Sequence, residues 1–225
     1  MFGSNANPSL NGDDSTVKNY LENTWFAGTN GVSAYEDILE NSAGYCNDRT
    51  VYNQTSPYDQ WPSSYTITSP DTTAFNFGAE HRLVAAGDYH PTLNCQRSVV
   101  DLYTTEDATN GNKQLTKPVA LITADEAAFA GNSTRVNNGG FVAESHSFLG
   151  THGMYWWTMS PSVRDTIKTM YMMSVYGNGQ TAANNIDAPT TNGRIRPVIS
   201  LISGVAPSSG SGTAADPWVI DAPTP

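Results

Sequence analysis

The run Tyr155-Trp156-Trp157-Thr158-Met159-Ser160, closed by Pro161, decides how the last third of the chain is read. Aromatic, β-branched and thioether side chains in succession favour a strand, and a proline that cannot donate to a ladder predicts its end. Thr169 to Tyr176 has the same character, and Gly177-Asn178-Gly179 after it is a hairpin-turn signal. A polar loop from Thr181 to Asn192 leads to Gly193. Arg194-Ile195-Arg196-Pro197-Val198-Ile199-Ser200-Leu201 then reads as a strand with Ile195, Ile199 and Leu201 on one face. Ser203 to Asp216 is rich in Gly and Ser, and Trp218-Val219-Ile220 reads as a closing strand.

Upstream the pattern changes from period 2 to helical. Residues 1–13 form a flexible Asn/Gly/Ser lead. Asp14 or Ser15 caps a helix with Val17, Tyr20, Leu21 and Trp25 at helical spacing, and Gly28 is its stop. Ser33 and Glu36 have the spacing of a capping box for a second short helix, with Tyr35, Ile38 and Leu39 on its apolar face. Between Cys46 and Cys95, Pro57, Pro62, Pro70 and Pro91 interrupt an aromatic-rich stretch, which reads as a long loop region. Val119-Ala120-Leu121-Ile122 is a short buried strand. Thr123 and Glu126 box the helix after it, and Gly131 ends that helix. A Gly/Asn/Ser-rich loop covers 132–154. Helices early and sheet late predict one α+β domain over 14–225, with no internal repeat.

Composition narrows the function. The chain of 225 residues carries 21 acidic and 11 basic side chains, a formal net charge of −10. That balance disfavours nucleic acid and anionic membrane surfaces, which both require a basic patch. Leu, Ile, Val and Phe make up only about 18% of the chain, a share that would suggest disorder. Five Trp and 11 Tyr restore the buried area. No apolar stretch reaches the ~18 residues a membrane span needs. The two cysteines, Cys46 and Cys95, read as one disulfide formed in an oxidising compartment, closing a loop that stabilises the fold by ~4 kcal/mol. Two buried free thiols are the bland alternative. Neither cysteine has zinc-ligand spacing around it.

Four segments in order resemble a family of bacterial surface domains of unknown function. They are Cys46-Asn47-Asp48-Arg49 with Leu93-Asn94-Cys95; Leu121-Ile122-Thr123-Ala124-Asp125-Glu126 with Ala130-Gly131; Tyr155 to Pro161; and Gly193 to Leu201 with Gly210-Ser211-Gly212-Thr213 and Pro217-Trp218-Val219-Ile220. The resemblance runs from about Val17 to Asp221. It implies a C-type-lectin-like fold, related in shape to formylglycine-generating enzymes, with two N-terminal helices, long disulfide-pinned loops and a C-terminal antiparallel sheet. Many members follow a pilin-type export helix in Gram-positive gut bacteria. No such helix precedes Met1-Phe2-Gly3-Ser4-Asn5 here, which looks like a processing boundary. The chain is also similar to the variable proteins of diversity-generating retroelements, in which hypervariable residues of a lectin-like fold bind ligand. Residues 155–201 sit where that segment would lie, with Trp157, Ser160, Pro161, Val175, Gly193, Arg196 and Pro197 matching its framework.

The residues themselves argue for binding over catalysis. His146 and His152 lack the spacing of a zinc helix, and His81 and His90 read as ordinary loop histidines. Gly210-Ser211-Gly212-Thr213 is not a nucleophile elbow. Neither cysteine has the partner that an oxidase of the formylglycine-generating type requires. No metal or cofactor is expected. Asp48 is read beside Arg49, and Asp125 and Glu126 as first-turn and capping acids, so none is assigned to calcium. Arg194 and Arg196 share a strand face; Arg196 is given a structural role and Arg194 either an anionic ligand or a local carboxylate.

The ligand face is assigned to Tyr155, Trp156, Ser162, Arg164, Lys168, Met172, Ser174, Tyr176, Asn178, Asn184, Asn185 and Asp187. Aromatics give rigid contact area at low entropy cost, and small polar side chains adapt their hydrogen bonds. Methionines such as Met172 add compliant surface. Strand alternation predicts Trp157, Tyr171, Met173 and Val175 inward and Trp156, Met172, Ser174 and Tyr176 outward. The expected partner is a protein or carbohydrate on another cell, phage or host surface. The alternative is a pilin-like or tip subunit that uses this aromatic face as its interface.

Overall fold

The computed structural model describes residues 14–29, 31–53, 75–85, 90–95, 98–134, 155–164, 170–176, 180–185, 193–213 and 215–221. The expected lead over 1–13 lies outside them, as does most of the loop over 132–154.

Ser15 starts the first helix, its side chain accepting the Lys18 N–H at 3.0 Å. Helix α1 (Thr16–Tyr20) runs directly into a π-helical turn (Leu21–Trp25), and Phe26 N–H donates to Leu21 O. Leu21 and Phe26 both enter the core, while Tyr20 stays exposed. The capping box expected at Ser33 does not form. Val32 precedes a 3-10 helix (Ser33–Ile38) without a side-chain cap, and Glu36 pairs with Lys117 instead. The helix begins one residue early for the box, with Val32 at the cap position and Ser33 already its first residue.

The strands follow as β1 (Tyr45–Cys46), β2 (Val51–Asn53), β3 (Phe75–Phe77), β4 (Leu102–Tyr103), β5 (Ala120–Leu121), β6 (Ser133–Thr134), β7 (Trp156–Arg164), β8 (Met170–Val175), β9 (Gln180–Asn185) and β10 (Pro197–Val198). The helices interleave as α2 (Gly78–Glu80), a π-helical turn (His81–Ala85), α3 (Ser98–Asp101) and α4 (Ala124–Phe129). The main sheet has the order β2-β3-β7-β8-β9-β6. Its pairs are antiparallel except β6 with β9. Two-stranded pairs β1-β4 and β10-β5 stand apart. The chain is thus an α+β protein with a disulfide, as the sequence predicts.

Several expectations change in detail. Pro161 does not end its strand. β7 continues to Arg164, and the register against β8 shifts on either side of Pro161, which is how a ladder absorbs a missing N–H. Of the polar loop expected over 181–192, the part to Asn185 is the strand β9, held by its register on β8, and residues 186–192 lie outside the described residues. The Cys46–Cys95 region contributes β2, β3 and α2 to the body and is not all loop. The strand expected over 194–201 is reduced to β10 and single bridges from Arg194 to Trp156 and from Leu201 to Leu39. Leu201 is exposed, unlike Ile195 and Ile199, which pack on the core. Trp218-Val219-Ile220 does not close the main sheet, since Val219 bridges only to Ser209.

The sheet is covered on both faces. One face carries Trp157, which clusters with Val17, Leu21, Phe26, Leu39, Val119 and Leu121; Tyr155, Met159 and Met172 pack against that cluster. The other carries Trp156 and Val175 against Ala127 of α4, and Met173 against Ala79, Leu83, Ala124 and Ala128. Helix α4 has the predicted box: Thr123 Oγ1 accepts the Glu126 N–H at 3.0 Å, and the Glu126 carboxylate accepts the Thr123 N–H at 2.8 Å. Ser160 of β7 accepts the Ala124 N–H at 2.9 Å, so the sheet itself satisfies another orphan amide of that helix. Cys46 and Cys95 are disulfide-bonded, with Cα atoms 5.7 Å apart.

Candidate functional site

The β7-β8 ladder pairs Trp156 with Val175 and Trp157 with Ser174. Tyr155 and Tyr176 follow at its open end. Their ring centroids lie 5.6 Å apart in a tilted arrangement. Tyr155 also meets Trp157 edge to face at 5.4 Å, a favourable aromatic geometry. Gly193 forms the floor of this group. A Cβ there would lie 2.1 Å from the Trp157 indole nitrogen and 2.7 Å from the Tyr155 ring, so only glycine admits both rings. Backbone bonds pin the neighbouring segment, with Arg194 N–H donating to Tyr155 O and Trp157 N–H to Arg194 O. Tyr176 is 36% exposed and is the outermost ring of the three.

Of the residues assigned to the ligand face, Tyr155, Met172 and Tyr176 are partly or fully accessible. Tyr155 and Tyr176 are brought together, and Met172 packs on the same core cluster as Tyr155. Trp156 (2% exposed), Ser162 and Ser174 are buried, against the outward orientation expected for Trp156 and Ser174. The phase expected between the two strands is not the observed one: Trp156 shares its face with Met173 and Val175, against α4, and Trp157 shares the other with Met172 and Ser174. Arg164 ends β7 and pairs through its backbone with Phe75 and Met170. Asn184 and Asn185 pair with Met172 and Tyr171. Lys168, Asn178 and Asp187 lie outside the described residues. Of the residues expected inward, Met173, Val175 and Trp157 are buried and Tyr171 is intermediate.

Arg196 stacks over the Trp156 ring with its guanidinium carbon 4.8 Å from the ring centroid, in keeping with its structural assignment. Arg194 is exposed. Ser162 Oγ donates to Glu80 Oε2 at 2.7 Å. Burial pushes the Glu80 carboxyl up, against the opposing effect of that hydrogen bond. The folded chain therefore keeps this proton over a pH range in which the unfolded chain has lost it. Stability from the neutral acid is complete below the unfolded value of about 4.3 and disappears as pH rises through the folded value. Glu80→Gln is therefore expected to stabilise the fold at neutral pH and to have little effect in acid. Urea unfolding of both proteins at the two pH extremes checks this; equal effects at both would refute it.

Sequence reasoning missed the buried ion network. Arg82 donates from Nη1 to Asp48 Oδ2 and from Nη2 to Asp125 Oδ2, the latter at 2.8 Å. Arg49 pairs with Asp101 at 2.8 Å, so Asp48 is not the partner of its neighbour as expected. Asp48 instead turns back to accept the Thr50 N–H. Thr92 N–H donates to Asp125 at 2.9 Å. Burial pulls the Arg82 guanidinium down, but the hydrogen bonds and charges of Asp125 and Asp48 outweigh it and hold it above its ordinary value. His81, expected on a loop, is buried in a π-helical turn, where desolvation and then Arg82 push it down. His90 is exposed, and His146 and His152 lie outside the described residues. Among the described residues no group of three or more His, Cys, Asp or Glu side chains is placed to hold a metal ion. No described helix is long and apolar enough to cross a membrane.

Compared with known proteins, the chain matches no family model, and neither a curated protein nor a solved structure is significantly similar to it.

Proposed function

We propose that this chain is an extracellular ligand-binding domain of the receptor or adhesin kind, which meets a protein or glycan ligand through the open end of the β7-β8 ladder. One observation carries the reading: Tyr176 is held at an accessible position in ring contact with the half-buried Tyr155, on a frame buried on both faces. Amphipathic rings fixed in advance lose little entropy on binding. The disulfide fits an oxidising compartment at or beyond the cell surface. The C-type-lectin-like architecture belongs to the same proposal, as does kinship to retroelement-diversified proteins. Short helices, a disulfide and a mostly antiparallel sheet are compatible with both.

Sequencing the gene across its source population tests the reading without knowledge of the ligand. The expected pattern is substitution at Tyr155, Met172 and Tyr176, with Trp156, Trp157, Ser160, Ser174, Val175 and Gly193 fixed. Substitutions spread evenly over buried and accessible positions would remove the diversified reading. Tyr176→Ala is expected to change unfolding stability by less than about 1 kcal/mol, because the ring is not core. The same variant should lose ligand capture. Concentration-dependent light scattering abolished by Tyr176→Ala would instead assign this end to a subunit interface in a pilin-like or tip structure.

A further inference from the structure

We propose that the C-terminal hairpin carries a second binding site, separate from the tyrosine pair, for a neutral saccharide, with Trp218 as its platform and Asp216 as a hydrogen-bond acceptor. Segments 208–213 and 215–220 pair through Ser208 N–H to Val219 O at 2.8 Å and Val219 N–H to Ser209 O at 2.9 Å. Closer to the turn, Ser211 N–H donates to Asp216 O and Asp216 N–H to Thr213 O, both at 3.1 Å. Gly210 and Gly212 have φ of +92° and +77°, a region that favours glycine. A Cβ on Gly212 would lie 2.4 Å from the Trp218 indole nitrogen, so the pyrrole side of the ring is seated on that backbone. The ring is thus held in place, yet Trp218 is 58% exposed, whereas Trp156 and Trp157 are buried.

The occupant follows from charge and size. No Lys or Arg lies between Ser203 and Asp221, while Asp216 and Asp221 do, so an anionic ligand is repelled. Trp218 and its neighbour Val219 are the exposed large hydrophobics of the hairpin; an indole supplies at most about 250 Å² of contact and a valine less, together well short of the ~800 Å² per partner of a stable protein interface. A small ligand with one apolar face and hydroxyls at its edge fits both limits, which is the chemistry of a pyranose ring. Asp216 precedes Trp218 by two residues, and both are exposed. The Asp216 carboxylate accepts no hydrogen bond from any described residue and is available to a sugar hydroxyl.

Titration with cellotriose and with triacetylchitotriose, followed by calorimetry in the parent and every variant and at the Trp218 indole N–H by NMR in the parent, tests the site. Saturable binding of at least one of them, with a saturable shift in the parent, is expected, weakened at least tenfold by Trp218→Ala, largely kept by Trp218→Phe and unchanged by Tyr176→Ala. Trp218 is exposed, so these variants should keep the unfolding transition of the parent. No saturable shift with either sugar overturns the proposal. So does binding that survives Trp218→Ala. Binding lost only in Tyr176→Ala would overturn this site and place the sugar on the tyrosine pair.

Discussion

Arg82→Met is expected to destabilise the fold by about 3–5 kcal/mol, the usual consequence of removing one partner of a buried charge pair. The loss is large because one guanidinium serves two buried carboxylates. Nη1 reaches Asp48 at 2.5 Å, while Nε and Nη2 grip Asp125 at 3.1 and 2.8 Å. Without Arg82 both acids remain desolvated and unpaired. Arg82→Lys should recover only part of the loss, since an ammonium cannot copy the fork that spans two acids. Adding Asp48→Asn and Asp125→Asn to Arg82→Met should recover most of it, because the Arg82 cluster then holds no buried charge and the side-chain oxygens still accept from Thr50 and Thr92. Urea unfolding at neutral pH measures the series. A loss below about 1 kcal/mol for Arg82→Met would mean that solvent reaches the cluster. The effect should extend to the binding end. Asp125 lies in the first turn of α4, whose Ala124 and Ala128 pack on Met173, and Met173 shares β8 with Val175, the residue before Tyr176.

The features legible in the sequence are those fixed by near neighbours. The box at Thr123 and Glu126 and the cap at Ser15 both depend on atoms within one turn, and both form. β8 and β9 flank the predicted turn at 177–179 and pair as a hairpin. What was not legible depends on distant partners. β9 has no apolar alternation, and its register on β8 makes it a strand. Alternation sorts residues within one strand but not the phase between two, so it puts Trp156 and Ser174 on one outward face, whereas they lie on opposite faces and both are buried. The helix that covers Trp156 is α4, which lies far from it in sequence. The Arg82 partners are 34 and 43 residues away, so no local spacing announces them. Ser33 shows the converse failure: a valid capping pattern is left unused because the helix takes Val32 at its cap position, and Glu36 pairs with Lys117, far along the chain.

Cys46→Ser with Cys95→Ser is expected to lower stability by about 4 kcal/mol in the chain-entropy account of loop closure, given the 49-residue separation of the cysteines. Reduction of the parent with dithiothreitol should produce a similar loss, and the double variant should not respond to the reductant. The disulfide and the Arg82 cluster join the same segments. Asp48 lies two residues after Cys46, and Thr92, whose amide binds Asp125, lies three before Cys95. Opening the disulfide therefore frees the two segments that deliver Asp48 and Thr92 to the cluster. Removing both features should destabilise by less than the sum of the separate effects, because the second removal acts on contacts the first has already loosened. A thermodynamic cycle over the parent, Arg82→Met, the double serine variant and their combination reads this directly. Strict additivity would separate the two devices: the disulfide would act only on the unfolded chain and the ion network only on the folded one. Sub-additivity would make them one brace, holding the Cys46–Cys95 region against α4 and, through α4, against the strand that leads to Tyr176.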